Sequence, residues 1–394
     1  PQKISIARGY IPYPDLNEKQ VDEVANLINE SKKPLVLVGQ GVILSNAEKE
    51  LLTFLEKADI PAASTLLGLS AMPSDFRLNK GFIGMHGNIA PNKKTNECDL
   101  LIGIGMRFAD RVTGNVKTYA KQAKIVHIDI DISEIGKNIK TDAKILGDAK
   151  EVLIALTKKI KENNHSEWID SFKAFEEEEY NKVIKKSLYP SGDALTMGEV
   201  VRKVSDATHK DAILVTDVGQ NQMESARYFQ YTKSRSIVTS GGLGTMGFGL
   251  PAAIGTKIGV PNRTVCIFAG DGGFQMSIQE LGTIMQSNIG VKMILLNNNY
   301  LGMVRQWQEL FYQKRYSSTP MINPDFNAIA SAYKIANRKV TKRDELDEAI
   351  NDMLSNDEAF LLVVEVALTT KSVWLRLLLL CFRAKKDARS VTLE

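Results

Sequence analysis

Short apolar runs alternate with helical patterns along most of this 394-residue chain. In the N-terminal part, apolar positions three to four residues apart predict helices at residues 20–31 and 47–58. Four apolar runs that end near glycine or polar residues predict strands: 35–38, 60–65, 100–104 and 124–130. Strands that alternate with helices are typical of a parallel sheet covered on both faces. Residues 1–160 are therefore predicted to form one α/β domain.

A second series of such patterns begins after residue 190. Five further apolar runs predict strands: 212–216, 236–239, 265–269, 291–296 and 360–366. Helices are predicted at residues 326–336 and 346–354, and another from about Ser277, because Ser277 and Glu280 have the spacing of a capping box. The predicted fold class is α/β, with a second doubly wound parallel-sheet domain at residues 191–366.

The segment between these two domains has a different composition. Charged residues of both signs are dense in residues 161–190, and aromatic residues recur at roughly helical spacing from Trp168 to Tyr180. This pattern predicts a solvent-exposed helix with a narrow apolar stripe. Residues 189–192, Tyr-Pro-Ser-Gly, break the pattern. We interpret residues 161–190 as a charged helical linker.

Two polar groups follow the predicted strands at 265–269 and 291–296. Gly-Asp-Gly at 270–272 ends the first strand, and Asn298 comes 27 positions after Asp271. Because a strand–helix–strand unit brings both strand ends to one edge of the sheet, Asp271 and Asn298 are expected to meet there. Carboxylate and amide oxygens suit Mg²⁺, and the glycines let a diphosphate approach. A Gly-Asp-Gly alone would more simply be an ordinary turn from strand to helix.

The Gly-Asp-Gly and Asn-Asn pair resembles the thiamine-diphosphate signature, and GGLGTMG at 241–247 and GMVRQWQ at 302–308 resemble the catalytic large subunit of acetolactate synthase (acetohydroxyacid synthase). The resemblance implies that Asp271, Asn298 and the carbonyl of Tyr300 bind Mg²⁺. It gives Met246 the role of holding the cofactor bent, and it adds Met303 and Trp307 as catalytic-site residues. The thiamine-diphosphate site would comprise these positions: Val218, Gly219, Gln220, Gly244, Met246, Gly270, Asp271, Gly272, Gly273, Asn298, Gly302 and Met303. Asn221 stands where the family has a histidine.

GMRFADRVTG at 105–114 and HIDIDISEIGKN at 127–138 extend the resemblance to the first domain, which holds FAD in that family. Two arginines just after a strand suit a pyrophosphate, although a solvated charged loop would have the same composition. The resemblance implies the following FAD-binding positions: Gly39, Gly41, Thr65, Leu66, Gly84, Met85, His86, Gly105, Arg107, Arg111, Val112, Asp129, Ile130 and Asp148. Ala109 replaces an aspartate of the family pattern, which would remove one polar contact to the flavin.

Charge and cysteine content change this picture only at the C-terminus. Six basic and two acidic residues within residues 367–394 account for the whole net charge of +4, so the basic balance does not indicate nucleic-acid binding. The apolar run at 373–382 is too short to span a bilayer. The resemblance stops near residue 366, so we interpret residues 367–394 as a divergent tail, produced by a frame shift in the simplest hypothesis. The three scattered cysteines favour a reducing compartment, and a cytoplasmic location is expected.

The resemblance implies a transferase that condenses two 2-ketoacids, with loss of CO₂, to 2-aceto-2-hydroxyacids in branched-chain amino acid biosynthesis. It also implies a homodimer or tetramer with a regulatory small subunit, and neither nucleic acid nor membrane as a partner. The family's activating glutamate belongs to a domain that would precede Pro1, and Glu280 does not match it. The chain is therefore expected to be inactive alone.

Two alternatives remain open at this point. One is another thiamine-diphosphate enzyme, of the pyruvate oxidase or glyoxylate carboligase type. The other is a cofactor-binding fragment without catalysis.

Overall fold

The computed structural model describes residues 13–368, and this part of the chain contains two six-stranded sheets. Every strand pair in both sheets is parallel, and helices lie between most successive strands, so the predicted α/β class is confirmed. Residues 1–12 and the tail beyond residue 368, with its apolar run and proposed frame shift, lie outside the described residues. Within residues 13–368 there is no helix both long and apolar enough to cross a membrane.

The first sheet has the strand order β3-β2-β1-β4-β5-β6. Its strands are β1 Pro34–Val38, β2 Ala62–Ser64, β3 Asn79–Phe82, β4 Leu100–Ile104, β5 Lys124–Asp129 and β6 Ala143–Leu146. The accompanying helices are α1 Glu18–Glu30, α2 Gln40–Leu44, α3 Glu48–Ala58, α4 Ile89–Lys94, α5 Asp110–Thr113 and α6 Ala149–Lys159. The four strands predicted in this region are present. β3 and β6 were not predicted, because neither contains a continuous apolar run.

The segment after α6 differs in part from its prediction. The segment is helical and mostly exposed with a buried stripe, as predicted, but it is divided into pieces: α7 Ser166–Asp170, α8 Lys173–Glu179, a π-helical turn Tyr180–Ile184 and α9 Lys185–Leu188. Trp168 and Phe172 are buried, and the Trp168 Nε1 donates to the carbonyl of Pro34 at 2.8 Å. The recurring aromatic residues therefore include the side chains that this segment buries.

The second sheet has the order β11-β12-β10-β9-β7-β8. Its strands are β7 Ile213–Thr216, β8 Ile237–Thr239, β9 Val265–Gly270, β10 Lys292–Asn297, β11 Ala336–Val340 and β12 Phe360–Glu365. Its helices are α10 Met197–Ala207, α11 Gln220–Tyr228, α12 Gly249–Gly259, α13 Asp271–Gln275, α14 Leu281–Ser287, α15 Gly302–Phe311, α16 Phe326–Ala332 and α17 Leu346–Leu354. The predicted strands and α17 are present at nearly the predicted bounds.

Two predictions in the second domain are corrected by the structure, one in its C-terminal bound and one in its start signal. The helix predicted at 326–336 ends at Ala332, and the polar strand β11 follows at the sheet edge, where only Val340 is fully buried. The capping box is also absent, because α13 starts directly at Asp271 and the Ser277 side chain makes no capping hydrogen bond. A 3₁₀ turn at Ile278–Glu280 then leads into α14.

A buried ion pair joins the segment after α6 to both sheets. Arg227 on α11 pairs with Glu179 at the end of α8, and both side chains are almost fully buried. Glu179 also accepts from the side chain of Asn88 and from the backbone N–H of Ile89, at 2.9 and 2.7 Å. Arg227 donates to the carbonyls of His86 and Gly87. The first sheet's loop and the second sheet's helix are therefore connected through one hydrogen-bonded pair.

Removal of one partner of this pair is expected to be strongly destabilising. Arg227→Met should lower the free energy of unfolding by about 3–5 kcal/mol, because it leaves the Glu179 carboxylate buried without its counterion. Urea unfolding measures the change. Lys182→Met is the matched control, since Lys182 forms an exposed pair with Glu178 at 2.7 Å and should change stability by no more than about 1 kcal/mol. Equal effects of the two variants would contradict this account.

Candidate functional site

The carboxyl ends of β9 and β10 bring Asp271 and Asn298 to one small cleft. The two strands pair in parallel, with Leu296 opposite Gly270, so the residues that follow lie side by side at the sheet edge. The cleft has a volume of about 50 Å³. Every predicted thiamine-diphosphate residue except Gly244 lines it, as does Tyr300. Residues far apart in the chain are thus brought together at this edge.

The Asp271 carboxylate is buried and held by hydrogen bonds. Its Oδ2 accepts from Nδ2 of Asn323 at 2.8 Å, and its Oδ1 accepts from the backbone N–H of Gly272 at 3.1 Å. Burial raises the pKa of Asp271, and these hydrogen bonds act in the opposite direction. A buried carboxylate of this kind is stabilised by a cation, because the cation compensates the lost solvation of the charge.

The second oxygen donor comes from an Asx turn after β10. Asn298 is buried, and its Oδ1 accepts from the backbone N–H of Tyr300 at 3.1 Å. Asn299 between them has a φ of 59°. In residues 13–368 there is no group of three His, Cys, Asp or Glu side chains that could hold a metal ion. The predicted ligand oxygens of Asp271, Asn298 and Tyr300 are a carboxylate, an amide and a backbone carbonyl, a set that fits Mg²⁺ with water and phosphate completing its shell.

Asp217, a residue that the sequence did not single out as functional, organises the glycine-rich wall of the cleft. Its carboxylate accepts from the backbone N–H groups of Val218, Gly247 and Gly249. A Cβ at Gly273 would lie 2.1 Å from Asp217 Oδ1, so only glycine fits between α13 and this carboxylate. Asp217 therefore holds the segment that carries Met246 against α13.

Asn221, which stands where the family pattern has histidine, has a structural contact. Its Nδ2 donates to the carbonyl of Phe268 at 3.0 Å, and the side chain is buried. The substitution thus ties the first turn of α11 to β9. Glu280 accepts from the Thr283 hydroxyl at 2.7 Å and does not line the cleft.

A second cavity of about 750 Å³ lies between the two sheets' loops. All of the predicted FAD residues except Gly39 and Gly84 line it. Gly39 instead packs against the turn after β4, where a Cβ would lie 2.0 Å from the carbonyl oxygen of Gly105. The volume falls within the roughly 300–1,000 Å³ of cofactor and ligand pockets.

The wall of this cavity also includes residues of α11 and of the loop after β8, which sequence reasoning missed or placed elsewhere. They are Gln222, Met223, Ser240, Gly241, Gly242, Leu243 and Gly244. Gly244 had been predicted for the thiamine-diphosphate site. The density of glycine at 241–244 was the available signal, but it does not show which of two cavities the segment borders.

Charged groups are distributed around the large cavity. Arg107 and Arg111 are exposed on its wall, whereas burial, followed by the charges of Arg111 and Arg227, lowers the pKa of His86 to about 4. Burial raises the pKa of Asp129. Asp148 accepts from the backbone N–H groups of Lys150 and Glu151 and so caps α6. The arginines can neutralise a pyrophosphate while His86 stays uncharged at neutral pH.

Trp307 lies outside the small cleft. Its ring centroid is 4.8 Å from that of Phe311, and the guanidinium of Arg111 lies 5.9 Å from the Trp307 ring. Met246 and Met303 do line the cleft. Trp307 thus contacts an arginine of the large-cavity wall.

The two halves of the chain match two models of one enzyme family. Residues 21–156 match the central domain of thiamine pyrophosphate enzymes, and residues 217–364 match their C-terminal TPP-binding domain. These ranges contain the large cavity's predicted FAD residues and the Asp271–Asn298 cleft, respectively.

Curated relatives cover most of the chain. It is 41% identical to a probable acetolactate synthase large subunit of Methanococcus aeolicus, over 92% of this chain and 62% of the relative. It is 39% identical to the acetolactate synthase isozyme 2 large subunit of Escherichia coli, over 90% and 63%. It is 42% identical to the chloroplastic acetolactate synthase 2 of Nicotiana tabacum, over 89% and 54%.

The chain spans about three fifths of the length of the first of these relatives. Both domain matches and the relatives agree with the resemblance read from the motifs. The chain belongs to the thiamine pyrophosphate enzymes, with their central and C-terminal domains, and is a homologue of acetolactate synthase large subunits.

Proposed function

We propose that this chain provides the cofactor-binding part of an acetolactate synthase, which condenses two 2-ketoacids with loss of CO₂. The observation that carries the proposal is the juxtaposition of Asp271, Asn298 and Tyr300 in a glycine-lined cleft at the ends of β9 and β10. The names of the relatives support this reaction over that of other thiamine-diphosphate enzymes. Assembly through a homodimer or tetramer with a small subunit is part of the same proposal.

The protein's own part in the reaction is to bind and orient. Thiamine diphosphate, when bound, supplies a nucleophilic carbon and an electron sink for decarboxylation. Asp271, Asn298 and the Tyr300 carbonyl would hold Mg²⁺ against the diphosphate. Met246 and Met303 present apolar side chains to the cleft, which would exclude water and limit the conformations of the bound cofactor.

We further propose that FAD occupies the large cavity. The support is a volume suited to a cofactor, two arginines for the pyrophosphate, and the Asp129 carboxyl group, half-buried at the end of β5, for a ribose hydroxyl. Ala109 is the N-cap of α5 and makes no side-chain capping bond. The loss of the family's aspartate at this position therefore removes a cap from the helix that carries Arg111.

Asp271→Ala should abolish Mg²⁺-dependent binding of thiamine diphosphate. The expected loss of affinity exceeds the roughly 10–100-fold effect of removing an outer-shell partner, because a direct ligand is removed. Isothermal titration calorimetry with Mg²⁺ present and absent measures it. Asp170→Ala, which removes an exposed carboxylate paired with Lys173, should bind as the unchanged chain does. Unchanged binding in Asp271→Ala would refute the metal assignment.

Gly242→Phe should weaken FAD binding while leaving the fold intact. A Cβ at Gly242 meets no atom within 4 Å, and Gly242 lines the large cavity, so the new ring should occupy ligand space. We expect at least about a tenfold loss, or about 1.4 kcal/mol, in a titration of flavin fluorescence. Gly192→Phe is the control, because a Cβ there is equally free of contacts and lies outside the cavity. Equal FAD affinity in both variants would place the flavin elsewhere.

A further inference from the structure

Asn323 occupies the centre of a hydrogen-bond network behind the Asp271–Asn298 cleft. It lies in the loop between α15 and α16 and does not line the cleft itself. Its Nδ2 donates to Asp271 Oδ2 at 2.8 Å, to Asn297 Oδ1 at 2.8 Å and to Asn299 Oδ1 at 3.1 Å. Its own Oδ1 accepts from Gln275 Nε2 at 2.9 Å. One amide thus contacts α13 and residues at the ends of β9 and β10.

The chemistry of this position requires an amide. Three oxygens lie within hydrogen-bond distance of Nδ2 and share its two hydrogens, so a carboxylate of the same shape would set oxygen against oxygen, and an apolar side chain would remove this donor. The Asn323 oxygen in turn needs the donor that Gln275 supplies. The side chain therefore matches its surroundings at both ends.

The loop that carries Asn323 is attached by backbone hydrogen bonds to residues 299–301, which follow β10. The N–H of Leu301 donates to the carbonyl of Thr319 at 2.8 Å, and the N–H of Met321 donates to the carbonyl of Asn299 at 2.9 Å. Tyr300 and Pro320 form an antiparallel bridge. Because the two loops are joined on both sides of Tyr300, the Asn323 amide has a defined place relative to Asp271.

Glu365 at the end of the neighbouring strand β12 fixes the orientation of the Asn297 amide. Asn297 Nδ2 donates to both carboxylate oxygens of Glu365 at 3.0 Å, and Glu365 pairs with Lys339 at 3.0 Å. Glu365 lies opposite Asn297 in the parallel pairing of β10 and β12. With its nitrogen committed to a carboxylate, Asn297 must present its oxygen to Asn323.

We propose that Asn323 is a positioning residue for the divalent cation: it holds Oδ2 of Asp271, and so orients that carboxylate toward the metal. The inference rests on the proposed function of the cleft, since it needs a metal bound by Asp271. Outer-shell hydrogen bonds of this kind orient a ligand without touching the metal. In the sequence Asn323 stands 52 positions after Asp271, in a segment with no motif that points to the cleft.

The test measures Mn²⁺ binding by the full chain in the presence of thiamine diphosphate. The concentration of free Mn²⁺ is determined from its electron paramagnetic resonance signal. Asn323→Ala should weaken Mn²⁺ binding by about 10–100-fold. Asn323→Ser, which keeps a shorter donor, should lose less. Asn327→Ala is the matched control and should retain the affinity of the unchanged chain, because Asn327 on α16 donates to Asn337 on β11 at 2.9 Å and does not line the cleft.

The outcomes separate the two proposals. If the unchanged chain binds no Mn²⁺ in the presence of thiamine diphosphate, the proposed function fails. If the unchanged chain binds Mn²⁺, and both Asn323 variants bind it as tightly as Asn327→Ala does, the positioning role is refuted while the proposed function stands. The unfolding temperature without metal is measured for every variant. An Asn323 variant that loses Mn²⁺ affinity while it unfolds at the same temperature as Asn327→Ala supports the positioning role. A loss of affinity that occurs only together with a lower unfolding temperature contradicts it.

Discussion

Parallel pairing of β9 with β10 is the constraint on which the candidate site depends. Because Leu296 lies opposite Gly270, the two strands end at the same edge of the sheet, and Asp271 and Asn298 line one cleft. A one-residue change of register would turn either polar group to the other face of the sheet. Asp217, which holds the glycine-rich wall, and Asn323, which donates to Asp271, make local contacts around these two residues. The strand pairing is what brings the two residues together.

Helix α11 links this cleft to the large cavity. Gln220 and Asn221 at its start line the cleft, Gln222 and Met223 one residue later line the cavity, and Arg227 near its end donates to the loop of His86. Glu179 from the segment between the sheets forms a buried ion pair with Arg227. Helix α11 therefore contributes residues to both sites, and the segment after α6 contacts it through Glu179.

Sequence patterns predicted the parts of this structure that local chemistry determines. Apolar strands such as β1, β9 and β10 were predicted because their burial requires continuous apolar runs, and the pairing of Asp271 with Asn298 followed from where two such runs end. The edge strand β11 was missed because its residues are mostly polar. Asn323 and Gln222 were missed because only tertiary packing brings them to the sites, and the capping box at Ser277 failed because α13 had already begun at Asp271.

The central claim is that the ends of β9 and β10 form a metal–diphosphate site. Crystals of the chain grown with Mn²⁺ and thiamine diphosphate, measured at the manganese absorption edge, test it most directly. The account predicts one anomalous peak within coordination distance of Asp271 and Asn298 side-chain oxygens, next to diphosphate density. A manganese peak bound elsewhere, with the diphosphate in the large cavity beside Arg107 and Arg111, would contradict it.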